Sequence, residues 1–251
     1  MATFISDGLK LGYDDLGIGA PALLVHGFAS NRAEGWRRTG WYGALERRGA
    51  RVVALDLRGH GESDKPHEAS AYGRAAIATD VVRLMERLDL RDVDLIGYSM
   101  GAGLALRIAV AAPERVRRLV LGGVGGRALE PRTDQGLMAQ AMLADDPRTI
   151  AQPMLRGFRM FADAQGEDRF ALAACSSGGE ANVDVGQLAA VATPTLVVAG
   201  ARDGLAGDPQ PLADKIPGAT AAVLPGCDHF SAIPHALFKA TVFDWLDGWE
   251  G

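Results

Sequence analysis

The chain contains little cysteine: there are two residues among 251, Cys175 and Cys227. Two cysteines are too few for the disulfide framework of a small secreted domain, and free cysteines in globular proteins are usually buried thiols. The amino-terminal residues lack the basic segment followed by an apolar segment that is typical of a secretory signal peptide. These two absences predict a cytoplasmic protein.

Long apolar runs and basic clusters are also lacking. The apolar segments are interrupted by Arg, Asp or Gly before they reach the length that a membrane span requires. The net charge is −5, from 26 basic and 31 acidic side chains, and no cluster of Lys or Arg stands out. The sequence therefore predicts neither a nucleic acid nor a membrane as a partner.

Short apolar runs of strand length alternate with segments of helical periodicity. An opening antiparallel pair is predicted around the turn Asp7-Gly8, and it is followed by continuous apolar runs of the kind that parallel sheets bury on both faces. The predicted strands are 3–6, 10–14, 22–26, 52–56, 93–98, 118–122, 195–200 and 221–224. The predicted helices between them are 40–48, 72–88, 100–112, 211–216 and 236–248. The alternation predicts an α/β fold with right-handed crossovers.

One region interrupts this alternation. From about residue 125 to about residue 192 there is no convincing strand pattern, and a loop of that length without secondary structure is uncommon. Amphipathic segments occur instead at 134–144, 148–161, 168–175 and 185–191. The sequence therefore predicts a core domain of residues 1–125 and 193–251, with a helical insertion over residues 126–192.

The segment Gly97-Tyr98-Ser99-Met100-Gly101 fits the pattern G-x-S-x-G. A predicted strand leads into it and a helix of small residues leads out, which is the context that gives this pattern meaning as a nucleophile elbow. Glycine is expected on either side because a Cβ atom there would collide with the neighbouring strand or helix. The pattern predicts Ser99 as a nucleophile.

A serine hydroxyl needs a base to take its proton. Among five histidines, His229 lies in the loop after the last strand, and the chain order nucleophile, acid, histidine favours it. His26 and His60 lie in other loops at the same edge of the sheet and remain alternatives.

The acid is predicted between the serine and the histidine in the chain. Asp203 follows a buried strand through a glycine-containing turn, where it could hold the imidazole tautomer. Asp208 and Asp228 are competing candidates, but Asp228 directly precedes His229, so its side chain is poorly placed to reach that ring.

The remaining predicted site groups are oxyanion donors and pocket walls. The backbone N–H of Met100 follows the nucleophile, and that of Phe28 follows the strand 22–26, which are the two expected donor positions. An apolar wall suits a small ligand; the side chains predicted to form it are Phe28, Trp36, Trp41, Met100, Phe158 and Phe161. Arg32 and Arg37, near the first loop, are candidates for meeting a carboxylate, but solvation at the surface is the expectation.

Five segments occur in a fixed order: HGF at 26–28, DLRGHGESD at 56–64, GYSMG at 97–101, GARD at 200–203 and GCDHF at 226–230. Together they resemble the α/β-hydrolase superfamily over nearly the whole chain. The resemblance implies an eight-stranded, mostly parallel sheet with helices on both faces and a small helical cap after the sixth strand. It also implies a triad that works without a cofactor or metal.

Carried over by position, the resemblance gives the triad Ser99, Asp203 and His229, with Phe28 and Met100 as oxyanion donors. The segment 56–64 matches a structural loop of such enzymes. Its polar side chains Arg58, His60 and Asp64 are therefore expected to hold neighbouring loops rather than to take part in catalysis.

The function expected from these features is hydrolysis of a small-molecule ester or related acyl substrate through an acyl-Ser99 intermediate. A serine at this position argues against the dehalogenases and epoxide hydrolases of the superfamily, which use an aspartate. Lactone opening, C–C bond hydrolysis and perhydrolysis use the same triad and remain alternatives, as does a non-catalytic ligand-binding protein on the same fold.

Overall fold

The computed structural model of the protein describes residues 2–131, 136–178 and 185–248. Its strands are β1 (Ala2–Ser6), β2 (Leu9–Leu16), β3 (Pro21–Val25), β4 (Arg51–Leu55), β5 (Val93–Tyr98), β6 (Val116–Gly122), β7 (Thr195–Gly200) and β8 (Thr220–Leu224). Its α-helices are α1 (Trp41–Arg47), α2 (Arg74–Arg87), α3 (Met100–Ala111), α4 (Leu137–Leu143), α5 (Pro153–Gln165), α6 (Arg169–Gly178), α7 (Val185–Leu188), α8 (Gln210–Ala213) and α9 (Ala236–Leu246).

The eight strands form one sheet in the order β1-β2-β4-β3-β5-β6-β7-β8. Strand β2 pairs antiparallel with β1 on one side and with β4 on the other. All the remaining neighbouring pairs, from β4–β3 across to β7–β8, are parallel. All six residues of β5 and all six of β7 are buried, as strands covered on both faces must be. The predicted α/β architecture with a mostly parallel eight-stranded sheet is confirmed.

Helices cover both faces of the sheet, and alternate side chains of each strand face opposite layers. On β3, Leu23 and Val25 pack in the cluster that contains residues of α2, α3 and α8. Ala22 and Leu24 pack in the cluster that contains residues of α1 and α9. Full burial of a Val or Leu side chain contributes roughly 1.5–3 kcal/mol, so the two layers fix the register of the strands.

The described residues between β6 and β7 contain the four helices α4 to α7 and no strand. Their apolar side chains form two small clusters of their own, and one of them includes Phe28 and Ala29 from the loop after β3. The predicted segment 134–144 begins at residues outside the described ranges, and its described part contains α4. The domain boundaries at residues 126 and 192 stay a prediction.

Within the described ranges, no helix combines the length and the apolar character that a membrane crossing demands. The longest of these helices is α2, with 14 residues. The cytoplasmic location stays a prediction.

The polar segment 56–64 holds neighbouring loops, as expected. Arg58 donates through Nε and Nη2 to the two carboxylate oxygens of Asp80 at 2.7 Å each, and through Nη1 to the carbonyl oxygen of Ala71. Asp64 accepts from the backbone N–H of Lys10 at 2.7 Å. These bonds join the loop to β2 and α2.

The expectation that Arg32 is solvated is wrong. Its side chain is buried and lies among three carboxylates, those of Asp14, Asp56 and Glu62. A guanidinium can be buried when such partners compensate for its lost hydration. Arg37 is half-exposed and donates to Asp14 at 2.9 Å.

Candidate active site

Ser99 occupies a sharp turn between β5 and α3. Its backbone has φ +54° and ψ −117°, a conformation that side-chain-bearing residues rarely adopt. Its N–H donates to the carbonyl oxygen of Gly122 at 2.7 Å. A Cβ atom on Gly97 would collide with the carbonyl oxygen of Gly101, and one on Gly101 would collide with that of Val25. The glycines therefore permit the close strand–helix approach that was expected from the pattern.

The imidazole of His229 lies between Ser99 and Asp203. Its Nε2 atom is 3.0 Å from Oγ of Ser99, and its Nδ1 atom is 2.8 Å from Oδ2 of Asp203. An ionised carboxylate only accepts hydrogen bonds, so Nδ1 carries the proton and Nε2 is free to accept from the serine hydroxyl. This arrangement can take the proton of Ser99.

Asp203 is held firmly on the far side of the ring. Its side chain is fully buried, and its Oδ1 atom accepts from the backbone N–H groups of Leu205 at 3.0 Å and Ala206 at 2.9 Å. Its Oδ2 atom is thereby directed at His229. The turn that follows β7 supplies both donors, so the local chain path orients the carboxylate.

The alternative bases are engaged elsewhere. His26 is fully buried; its Nδ1 donates to the carbonyl oxygen of Gly27 at 2.8 Å, and its Nε2 accepts from the N–H of Leu57 at 3.0 Å. Burial lowers the pKa of His26, against the opposing charge of Asp56. Burial likewise lowers the pKa of His60 to about 3. Both imidazoles are therefore neutral structural groups.

The alternative acids do not contact the imidazole either. Asp208 accepts from the N–H of Gln210 at 2.9 Å at the start of α8. Asp228 accepts from the N–H groups of Phe230 and Ser231 at 3.1 and 2.8 Å, which shapes the loop that carries His229. Of the three acids considered, Asp203 is the one whose carboxylate reaches the ring.

A cavity of about 300 Å³ opens onto Ser99 and His229. Its lining includes three of the predicted wall residues, Phe28, Phe158 and Phe161, together with Phe230. The Phe158 ring lies 6.0 Å from that of Phe28 and 5.1 Å from that of Phe230, edge to face in both pairs. These phenyl rings give the cavity a largely apolar wall beside the serine.

Met100, Trp36 and Trp41 are not among the residues that line this cavity, so their predicted place in its wall is corrected. The Met100 side chain is buried in the cluster that contains residues of α2 and α3. The two tryptophans are fully buried in the cluster on the α1 and α9 face of the sheet, with ring centroids 5.4 Å apart. The indole N–H of Trp41 donates to the carbonyl oxygen of Ile233 at 3.0 Å. Trp41 therefore holds the loop that precedes α9, and Trp36 packs on Trp41.

The expected oxyanion donors lie on either side of Ser99. A Cβ atom on Gly27 would stand 3.3 Å from that of Ser99, so the chain at Gly27 and Phe28 runs against the serine. Met100 is the first residue of α3, where a backbone N–H has no acceptor within the helix. Donation by Phe28 and Met100 to an oxyanion stays a prediction.

Other cavity residues have no signature in the sequence. A π-helical turn, Ala33–Arg37, follows β3 and places Glu34 and Gly35 at the cavity wall. Glu34 pairs with Arg38 at 2.5 Å, so the cavity lining also contains an ion pair. A five-residue turn of this kind depends on tertiary packing, so no periodicity in the sequence indicates it.

Residues 21–175 match the family model described as alpha/beta hydrolase fold. The chain belongs to this family. The matched range includes the Ser99 elbow and ends before Asp203 and His229. Those two residues are assigned by the geometry and the chain order described above.

A curated relative is the 2-hydroxymuconate semialdehyde hydrolase of Pseudomonas putida, 36% identical over 122 residues, which cover 49% of this chain and 42% of that protein. A second is the dihydrolipoyllysine-residue acetyltransferase component of the acetoin cleaving system of the same species, 32% identical over 226 residues. That alignment covers 84% of this chain and 59% of that protein. The chain thus spans about half the length of these relatives.

Among solved structures, an esterase from Exiguobacterium antarcticum is similar with a TM-score of 0.82 at 22% identity, covering 98% of this chain and all of that one. The sequence likeness at that level supports the fold alone. The enol-lactonase of Burkholderia xenovorans is similar with a TM-score of 0.75 at 26% identity, over 98% of this chain and all of that one.

Proposed function

We propose that the protein is a serine hydrolase that cleaves carboxylic esters through an acyl-Ser99 intermediate. The observation that carries this proposal is the continuous contact from Asp203 through His229 to Ser99 at the wall of an apolar cavity. A buried carboxylate, an imidazole in the required tautomer and a hydroxyl on a strained turn are the parts of an activated nucleophile.

In the acylation step, Nε2 of His229 takes the hydroxyl proton as Oγ of Ser99 attacks the ester carbonyl carbon. The carbonyl oxygen becomes an oxyanion, which the backbone N–H groups of Phe28 and Met100 stabilise. Asp203 stabilises the imidazolium. The C–O bond to the alcohol then breaks, and the alcohol leaves with the proton from His229.

In the deacylation step, a water molecule replaces the alcohol. His229 takes a proton from the water as its oxygen attacks the acyl carbon, and a second oxyanion forms at the same donors. The bond to Oγ breaks, Ser99 regains its proton from His229, and the carboxylic acid leaves. The sum is one ester and one water converted into one acid and one alcohol.

The cavity supports a small or medium acyl substrate. Its volume of about 300 Å³ is at the lower end for ligand pockets. Phe28, Phe158 and Phe161 would bury an acyl chain, and the Glu34–Arg38 pair is a polar part of the same lining.

A second candidate is hydrolysis of a C–C bond next to a ketone. Its support is the similarity to a 2-hydroxymuconate semialdehyde hydrolase, 36% identical over 122 residues. The same groups would serve, but the bond that breaks would be C–C and the departing carbon would have to be protonated. Product analysis with an ester, a lactone and a vinylogous diketone separates these reactions.

The test is covalent labelling with a fluorophosphonate, followed by mass mapping of the modified residue. We expect stoichiometric labelling at Ser99, which is lost in Ser99→Ala and His229→Ala. His235→Ala is the matched control, because His235 lies outside the triad and its Nδ1 accepts from the N–H of Leu237 at the start of α9. Absence of labelling in the folded wild-type protein would overturn the enzymatic proposal and favour a ligand-binding protein.

A further inference from the structure

Tyr98 directly precedes the candidate nucleophile, and its hydroxyl donates to the main-chain carbonyl oxygen of His229 at 2.7 Å. We propose that Tyr98 is a positioning residue that sets the distance between the imidazole of His229 and Oγ of Ser99. The inference rests on the proposed function, because it concerns the step in which His229 takes the serine proton. It assigns a purpose to the side chain at the first variable position of the G-x-S-x-G pattern.

The tyrosine is needed because the loop that carries His229 is long, whereas its two partners lie in tight turns directly after β5 and β7. Ser99 is held at the end of β5 by its bond to Gly122, and Asp203 by two N–H groups of its own turn. His229 lies between β8 and α9, and its ring is bonded at both nitrogens to these partners. The bond from the Tyr98 hydroxyl holds the main chain of His229 in place, as the bonds named above hold Ser99 and Asp203.

The geometry ties the base directly to the strand of the nucleophile. Tyr98 is the last residue of β5, and its ring centroid lies 5.4 Å from that of His229. One rigid side chain therefore spans from the strand that ends at the serine to the loop that carries the base. A shift of this loop would lengthen the 3.0 Å contact between Nε2 and Oγ, along which the proton moves.

Space for the Tyr98 ring is created by two glycines at the end of the neighbouring strand. A Cβ atom on Gly122 would stand 2.8 Å from the ring, and one on Gly123 would stand 2.6 Å from it. Phe238 of α9 packs on the ring with centroids 5.8 Å apart. The side chain is thus confined, and its hydroxyl has a fixed direction.

The hydroxyl remains a donor across the working range of an enzyme. Burial raises the pKa of Tyr98 well above its ordinary value, and the negative charges of Asp203 and Asp228 act in the same direction. The contact with the carbonyl oxygen of His229 is therefore a neutral hydrogen bond that does not depend on pH near neutrality.

The test compares Tyr98→Phe with Tyr72→Phe. Each substitution removes one buried hydroxyl that donates to a main-chain carbonyl, that of His229 at 2.7 Å or that of Pro66 at 2.6 Å. A single neutral hydrogen bond corresponds to a rate change of about fivefold. We expect the rate constant of fluorophosphonate labelling at Ser99 to fall about fivefold or more in Tyr98→Phe and to stay within about twofold in Tyr72→Phe.

A double substitution separates positioning from general damage. Without the imidazole there is nothing for Tyr98 to position, so adding Tyr98→Phe to His229→Ala should leave the residual turnover of an activated ester unchanged. If Tyr98→Phe instead lowers the residual rate of the His229→Ala protein by the same factor as in the wild type, the tyrosine acts on the cavity or the fold, and the proposal is overturned.

An NMR measurement tests the role of Tyr98 independently of the proposed function. The proton on Nδ1 of His229, shared with Asp203, should give a downfield NMR signal that is assigned by its loss in His229→Ala. We expect that signal to broaden or shift in Tyr98→Phe and to be retained in Tyr72→Phe. An unchanged signal in Tyr98→Phe overturns the positioning role, whether or not the wild-type protein labels at Ser99. A protein that fails to label but shows the expected signal changes would lose the enzymatic proposal alone.

Discussion

The carboxylate of Asp203 meets the imidazole of His229 through a 2.8 Å contact between Oδ2 and Nδ1, while its other oxygen accepts two backbone N–H groups. The two oxygens therefore have different and fixed partners. This division predicts the outcome of Asp203→Asn. The amide oxygen must stay with the N–H groups of Leu205 and Ala206, which leaves the amide NH₂ facing Nδ1.

An NH₂ at that position makes Nδ1 an acceptor and moves the ring proton to Nε2, where it blocks the serine. We expect Asp203→Asn to lower kcat by about a thousandfold or more with the fold intact, measured with an activated ester. Asp208→Asn is the control, because that carboxylate bonds Gln210 instead. A loss smaller than about tenfold would contradict the tautomer assignment.

Ser99 combines a reactive hydroxyl with a strained backbone, and two substitutions separate these properties. Ser99→Ala removes the hydroxyl but keeps a Cβ atom at φ +54°. Ser99→Gly removes the hydroxyl and the Cβ atom. Strain of this kind costs roughly 1–3 kcal/mol, and glycine loses roughly 0.5–1 kcal/mol through chain entropy. We expect Ser99→Gly to be about 1 kcal/mol more stable than Ser99→Ala in chemical denaturation, with both inactive. A Ser99→Gly protein less stable than Ser99→Ala by about 0.5–1 kcal/mol, the entropy cost of glycine alone, would show that the turn is not strained.

Phe158 is predicted to limit the length of the acyl group. Its ring contacts those of Phe28, Phe230 and His229 at the cavity wall. In Phe158→Leu, we expect the ratio of kcat/KM for a hexanoate ester to that for an acetate ester to rise about tenfold, because the shorter side chain makes room for methylene groups. Phe170→Leu is the control, since that ring is half-exposed and lies outside the cavity lining. The same ratio in both variants would place the acyl chain elsewhere.

The triad positions could be predicted from the sequence because each has a local cause. Ser99, Asp203 and the loop of His229 follow β5, β7 and β8, and the carboxyl ends of parallel strands meet at one edge of a sheet. A strand pattern followed by the right residue type is therefore sufficient to bring three distant residues together. The same reasoning located Phe28 after β3.

The errors have a common physical origin, which is that a sequence does not indicate the face on which a side chain lies. Trp36 and Trp41 follow the same strand as Phe28 and are equally apolar, but they pack in the cluster on the α1 and α9 face of the sheet rather than in the cavity. Arg32 is charged, yet its three carboxylate partners come from β2 and from the distant segment 56–64, so its burial could not be predicted from its neighbours.

Long-range polar contacts were missed for a related reason. Tyr98 lies inside the most informative motif of the chain, but the carbonyl that it bonds is 131 positions away. Glu167 lies in the helical insertion, and its two donors belong to loops at Asn31 and Gly61. Hydrogen bonds of this kind depend on the assembled fold, and no residue pattern indicates them.

Glu167 connects the helical insertion to the core by a buried carboxylate. Asn31 donates from Nδ2 to its Oε1 at 2.8 Å, and the N–H of Gly61 donates to its Oε2 at 2.9 Å. Burial raises the pKa of Glu167 from its ordinary value of 4.5, against the lowering effect of these two bonds. Because the folded protein holds this proton more tightly, the stabilisation linked to it is complete below pH 4.5 and is lost as the pH rises through the raised value.

Glu167→Gln removes this titration and keeps Oε1, which lies 2.8 Å from Nδ2 of Asn31 and 3.2 Å from the backbone nitrogen of Gly61. The free energy of unfolding of Glu167→Gln, relative to the wild type, should therefore increase as the pH rises from 4.5 through the raised pKa of Glu167, and become constant above it.

Glu167→Ala should lose about 1–3 kcal/mol of stability, because the amide of Asn31 and the N–H of Gly61 are left without their acceptor. Denaturant titrations at a series of pH values measure both effects, with Glu86→Gln on the exposed face of α2 as the control. A pH-independent difference between Glu167→Gln and the wild type would show that the carboxylate keeps its ordinary pKa, and that the charge is tolerated at the junction between the insertion and the core.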